Sequence, residues 1–166
     1  MNGWLAGKRA KIEGDSPAIA KAFEAAGATL AEGEADIWVH VAPPPEIKPA
    51  HELTHAEWRA SMDVGLDRRF LGARDFAAAC CAHGRGGAIL FIGAPEQRFG
   101  ADQAAAAGAL GNLTKTLGVE WARDGIRVNS ILTHETGETL GRLAAYLASD
   151  YAAYVTGAVM GIALDD

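Results

Sequence analysis

The chain has 166 residues, 49% hydrophobic and 22% charged, with a net charge of −6 and a sequence pI near 5.3. That is enough apolar content for one core-bearing domain, and the acidic balance argues against a nucleic-acid or anionic-membrane partner. No apolar run approaches the roughly 20 residues of a membrane span, "MNGWLAGKRAKIEGD" lacks the apolar centre of a signal peptide, and adjacent Cys80 and Cys81 are no disulfide framework, so a cytoplasmic protein with two buried or half-buried thiols is expected.

Taken in chain order, short apolar runs alternate with helical patterns. The runs are Lys8–Ile12, Asp36–Ala42, Ala88–Gly93, Ile126–Leu132 and Ala158–Leu164. Their hydrophobicity is continuous rather than alternating, which suits parallel strands covered on both faces. Between them, "PAIAKAFEAAG" has Pro17 near its start and Gly27 at its end. Leu110, Leu113, Leu117 and Trp121 share one face of a helix that stops at Gly125. "ETLGRLAAYLASD" is a shorter amphipathic helix. The pattern predicts an α/β fold, a reduced three-layer arrangement of about five parallel strands with helices on both faces, forming a single domain over residues 1–166.

One motif points elsewhere. His51-Glu52-Leu53-Thr54-His55 spells the H-E-x-x-H of zinc peptidases, which need both histidines one turn apart on a helix. Yet Thr54-His55-Ala56-Glu57 reads as a capping box, with Thr54 as N-cap and Glu57 as the third helical residue. The helix then begins between the histidines and the shared face is lost. A metal site is therefore not expected, and a zinc peptidase stays a remote alternative. His40, His83 and His134 are scattered along the chain.

Several phrases, in order, resemble the short-chain dehydrogenase/reductase (SDR) family. "ADIWVHVA", "LTHAEWRASMDVGL", "GGAILFIGA", "LTKTLGVEWARDGIRVNSI" and "LAAYLASDYAAYVTGAVMGIALDD" match its successive strands and helices, with a weaker match at "AGKRAKIEGDSPAIAKAFEAAGA". The resemblance implies a nicotinamide cofactor and an Asn-Ser-Tyr-Lys active site, in which a tuned tyrosine moves the proton. At those positions this chain carries Gly65, Ala94, Gln103 and Ala107. Its tyrosines, Tyr146, Tyr151 and Tyr154, all lie later, and none is followed four residues on by lysine.

The implied cofactor loop is reduced to "EGDSPAIA", where Gly14 is the lone glycine and Asp15 brings negative charge. Between Ala28 and Asp36 a further β-α-β segment of about 30 residues has no room. The expected strand order is then simple, without a reversal or a crevice, and the first strand becomes an edge guarded by Lys8, Arg9 and Lys11. Only "THETGE" stands where the family has its substrate lid.

These departures predict a degenerate member with no catalytic residue and no bound cofactor. It would be a structural or regulatory subunit, self-associating or pairing with an active family member through the Leu66–His83 and Ala101–Arg123 helices. The alternative is an NAD(P)-dependent oxidoreductase with an atypical site, for which Gln103, Asp102, Glu96, Gln97 and His40 are the candidate polar groups, read as a solvated rim.

Overall fold

The computed structural model describes residues 3–44, 46–95 and 100–162. In chain order the strands are β1 (Arg9–Glu13), β2 (Thr29–Leu30), β3 (Ile37–Val41), β4 (Gly87–Gly93), β5 (Ile126–Leu132) and β6 (Val159–Gly161). The helices are α1 (Pro17–Ala25), α2 (His55–Met62), α3 (Arg68–Ala82), α4 (Ala101–Glu120) and α5 (Glu138–Ala148). All strand pairs are parallel, in the order β2-β1-β3-β4-β5-β6.

The unbroken apolar runs are explained by the two layers. Side chains alternate across a strand, so Val39, Leu90 and Ile131 meet α1 and α5, while Trp38, Ile89, Phe91 and Val128 meet α3 and α4. Ser16 caps α1, its Oγ accepting from the Ile19 N–H at 3.4 Å, with Pro17 in the first turn. After α4 the chain makes a 3-10 turn over Ala122–Asp124 and stops at Gly125 in the left-handed region (φ 71°), as the sequence indicates.

Arg127 is a tie that the sequence does not advertise. It donates from β5 to the carbonyls of Leu147, Ala148, Ser149 and Ala152, closing the C-terminal end of α5. Burial holds its pKa below the ordinary value.

The expected strand order is corrected. Thr29 and Leu30 form a two-residue strand outside β1, paired Arg9 to Thr29 and Ala10 to Leu30. The chain therefore runs outward from β1 to β2, then returns across β1 to β3. β1 is interior, α1 serves the outward step, and the sheet has a point of reversal between β1 and β3. Two smaller differences follow. β6 spans Val159–Gly161, and the last residues of the expected final strand fall outside the described residues. Cys80 is buried, with its thiol pKa raised by that burial, but Cys81 is exposed.

Candidate functional site

A cleft of about 510 Å³ lies over the C-terminal ends of β1, β3, β4 and β5, at the reversal point. Its walls are Gly14 to Pro17, Val41 to Pro44, Ile92 to Ala94, Thr133 to Thr136 and Leu140. Open α/β sheets bind ligands at this place. The expectation of no crevice is thus wrong, because two residues of β2 suffice to reverse the order. The stretch after β5 is short, with the Thr133 hydroxyl accepting from the Glu135 N–H at 2.8 Å, and it forms one wall of the cleft.

The location and size fit a nicotinamide nucleotide, but the pyrophosphate side does not. Gly14 adopts φ 96°, and a Cβ there would collide with the Val41 carbonyl oxygen, so glycine is required where the β1 turn packs against β3. Ser16 is engaged in capping α1, Pro17 has no N–H, and Asp15 adds charge of the wrong sign.

Beside the cleft is a smaller chamber of about 40 Å³. Gly65, Ala94, Gln103 and Ala107, the four positions singled out from the sequence, all line it. They come from three elements: a single π turn (Asp63–Asp67) that carries Gly65 into α3, the end of β4, and the first turns of α4. Ala42, Pro43, Gly93 and Ala94 line both spaces, so chamber and cleft share a wall.

The residue that dominates the chamber is Arg69, which the sequence reading did not select. Its side chain is 3% exposed, yet it lines the space. Nη2 donates to the Ile92 carbonyl at 2.8 Å, and Nε has no partner. A Cβ on Gly93 would lie 3.2 Å from Nη2 and 3.4 Å from Nη1, so the glycine leaves room for the guanidinium. Burial lowers the Arg69 pKa to about 10, and the group stays charged at neutral pH. A signal was available: Arg69, Ala73, Ala77 and Cys80 recur at helical spacing on the buried stripe of α3.

The expected solvated rim is corrected as well. Asp102 is 2% exposed; its Oδ2 accepts from the Ser61 hydroxyl, while buried Oδ1 has no partner. Gln103 donates from Nε2 to Ser61 Oγ at 3.1 Å. Nε2 also donates to Asp102 Oδ2 at 3.4 Å, so the amide is tied to Ser61 and Asp102, and it has no ionisable proton. His40 is buried beside Trp38, ring centroids 5.9 Å apart, with Nδ1 unpartnered. Burial first, then the Arg69 charge, pushes its pKa down to about 4, so it is neutral at pH 7. Glu96 and Gln97 lie outside the described residues.

The HELTH stretch is divided as its capping box predicts. Thr54 Oγ1 accepts from the Glu57 N–H at 3.2 Å, and Glu57 accepts from the Thr54 N–H at 2.8 Å. His51 lies in a 3-10 turn, while His55 is the first residue of α2. Among the described residues no group of three His, Cys, Asp or Glu is arranged to hold a metal, and no helix is long and apolar enough to cross a membrane.

Comparison with known proteins fixes the family. A family model described as enoyl-(acyl carrier protein) reductase matches residues 14–136. Galactitol 2-dehydrogenase (L-tagatose-forming) of Cereibacter sphaeroides is 32% identical over 84% of this chain and 70% of its own length. A short-chain type dehydrogenase/reductase from Mycobacterium marinum superposes with a TM-score of 0.86 at 23% identity, over 95% of this chain and 94% of that one. A 4-hydroxyisoleucine dehydrogenase complexed with NADH and succinate superposes with a TM-score of 0.73 at 28% identity, over 79% and 69%. The chain belongs to the short-chain dehydrogenase/reductase family. The expectation that it is not an enzyme is overturned, because the relatives that match it over most of its length are named dehydrogenases.

Proposed function

We propose that the chain is an NAD(P)-dependent oxidoreductase of the SDR type with an atypical active site, acting on a secondary alcohol or the corresponding ketone. The observation that carries the reading is the cleft at the strand reversal, joined to a chamber that gathers Gly65, Ala94, Gln103 and Ala107 around Arg69. The similarity to dehydrogenases over most of the chain supports it.

The cleft walls would hold the nicotinamide nucleotide, which would supply the hydride chemistry. The chain's own part is to position and polarise. The Arg69 guanidinium, at the wall between chamber and cleft, would favour negative charge growing on a substrate oxygen in the cleft, while the Gln103 amide N–H groups are engaged with Ser61 and Asp102. Neither can act as the proton acceptor in alcohol oxidation at neutral pH. The open cleft lets water take the hydroxyl proton instead. Loss of a positioned general acid or base costs about 10²–10⁴-fold in rate, so turnover is slow. With Asp15 and Pro17 where a phosphate would meet the start of α1, nucleotide affinity is low.

The test is direct. Purified protein is incubated with NAD or NADP and a panel of polyols and hydroxy acids, and nicotinamide absorbance is followed. Slow oxidation whose rate keeps rising with pH, without the plateau of a titrating phenol, supports the reading. No turnover with either nucleotide at any pH, together with no nucleotide binding by calorimetry, ends it.

Self-association through α3 and α4 is a further part of the proposal. Ala104, Ala105 and Gly108 lie exposed on α4, and nothing comes within 4 Å of a Cβ built on Gly108 or Gly111. Phe70 and Leu71 on α3 are 40% and 44% exposed. Mass measurement of the native protein distinguishes a dimer from a monomer.

A further inference from the structure

We infer that Arg69 and the chamber it walls form a carboxylate-binding site that seats the acidic end of a small hydroxy or keto acid. The site depends on the oxidoreductase reading only for its occupant's role as substrate.

The chain itself provides the contrast. Arg127 is a buried structural arginine, and its guanidinium serves four carbonyl oxygens at the end of α5. Arg69 is more deeply buried, yet it serves one carbonyl, that of Ile92, and its Nε is unpartnered. Among the described residues no carboxylate pairs with it. A buried charge is normally paired, because taking it out of water without compensation is costly. Asp102 does not supply the pairing, since it turns to Ser61. His40 is neutral and cannot.

The chamber explains what is missing. Apart from Arg69 and Gln103, every residue lining it is apolar or glycine, so no carboxylate within the lining opposes the guanidinium. The space of about 40 Å³ exceeds the roughly 10–15 Å³ that one water needs but is far below the several hundred Å³ of a whole-ligand pocket, so it suits one small group of a larger molecule. A flat carboxylate fits that room and the planar fork of arginine better than a tetrahedral phosphate does. The glycines at 65 and 93 keep the room open: a Cβ at Gly65 would approach Ala106 Cβ to 2.8 Å, and one at Gly93 would sit against the guanidinium. Because the chamber and the cleft share Ala42, Pro43, Gly93 and Ala94, the rest of the acid extends into the cleft, toward the reacting carbon.

The experiment is calorimetric titration of the full chain with acetate, acetamide and inorganic phosphate. Acetate is expected to bind saturably, while its neutral isostere acetamide and the larger phosphate bind at least tenfold more weakly. Arg69→Met removes the charge and keeps the length; it is expected to melt at or above the wild-type temperature and to lose acetate binding at least tenfold. Gly93→Ala is expected to weaken acetate by narrowing the chamber. Equal binding of acetate and acetamide, or acetate binding unchanged in Arg69→Met, overturns the site. The readout needs no turnover, so the two readings fail separately. Acetate bound through Arg69 in a chain that never oxidises a hydroxy acid leaves the site standing and removes the oxidoreductase. Turnover of polyols by a chain that binds acetate no better than acetamide does the reverse.

Discussion

The middle of the sheet and its β2 end are built to different standards. From β3 to β5 the strands are five to seven residues long and deeply covered on both faces, and the register runs unbroken from Ile37–Ala88 to Gly93–Leu132. At the β2 end, β1 holds a partner of two exposed residues, Thr29 and Leu30. The contrast separates stability from topology. Val39, Leu90, Phe91, Ile126 and Val128 of β3, β4 and β5 are fully buried, whereas the crevice exists because two exposed residues lie on the far side of β1.

The comparison can be broken most forcefully in the packed half. Phe91 is fully buried, edge-on to Trp38 with centroids 6.1 Å apart. Phe91→Ala is expected to lose about 3–5 kcal/mol in a urea melt. Leu30→Ala, at a site 40% exposed, is expected to stay within about 0.5 kcal/mol. Comparable losses at the two sites would mean the edge strand carries more of the fold than its burial indicates.

A gain of function sharpens the contrast next. Gln103 and Ala107 are one turn apart on α4 and both line the chamber. Gln103→Tyr with Ala107→Lys supplies a phenol and the cation that lowers its pKa. Turnover is expected to rise about 10²-fold or more, with a pH plateau that the parent lacks. An unchanged kcat would place the reacting carbon elsewhere in the cleft.

Acid should loosen the packed half through His40. Its pKa is near 6.5 when unfolded and about 4 when folded, because burial and Arg69, with a smaller push from Arg68, outweigh the pull of Glu13. The unfolded chain therefore takes the proton first. Stability from this group is complete above about pH 6.5 and falls as the pH drops toward 4, by at most about 3 kcal/mol. His40→Phe is expected to flatten that slope, as followed by thermal melts across the window.

The smallest expected effect is at α2. Thr54→Ala removes the capping box and is expected to lose about 1 kcal/mol. It also removes one of the bonds that, after that from Lys48, hold the Glu57 carboxyl at about 2, so that pKa should rise when measured by NMR titration.

Long apolar runs and helix punctuation made the central strands and α1, α4 and α5 readable in the sequence, because they encode burial on two faces and capping chemistry. β2 was not readable. A two-residue strand has no period, and its pairing depends on where α1 returns the chain. The four chamber positions were reached through family resemblance. Arg69 was missed because a charge in a helix reads as solvent-facing unless its position on the stripe with Ala73 and Ala77 is weighed first. The carbonyls that Arg127 serves lie 20 to 25 residues away along the chain, beyond the reach of any local pattern.

The brevity of β2 leaves Lys11, Ile12 and Glu13 without a strand neighbour on one side, followed by a turn in which Glu32, Gly33 and Glu34 face solvent. That turn is a natural graft point. A β-α unit spliced between Leu30 and Asp36 would meet open backbone donors and acceptors along β1 while leaving the packed strands undisturbed, so the sheet could be widened by engineering without being redesigned.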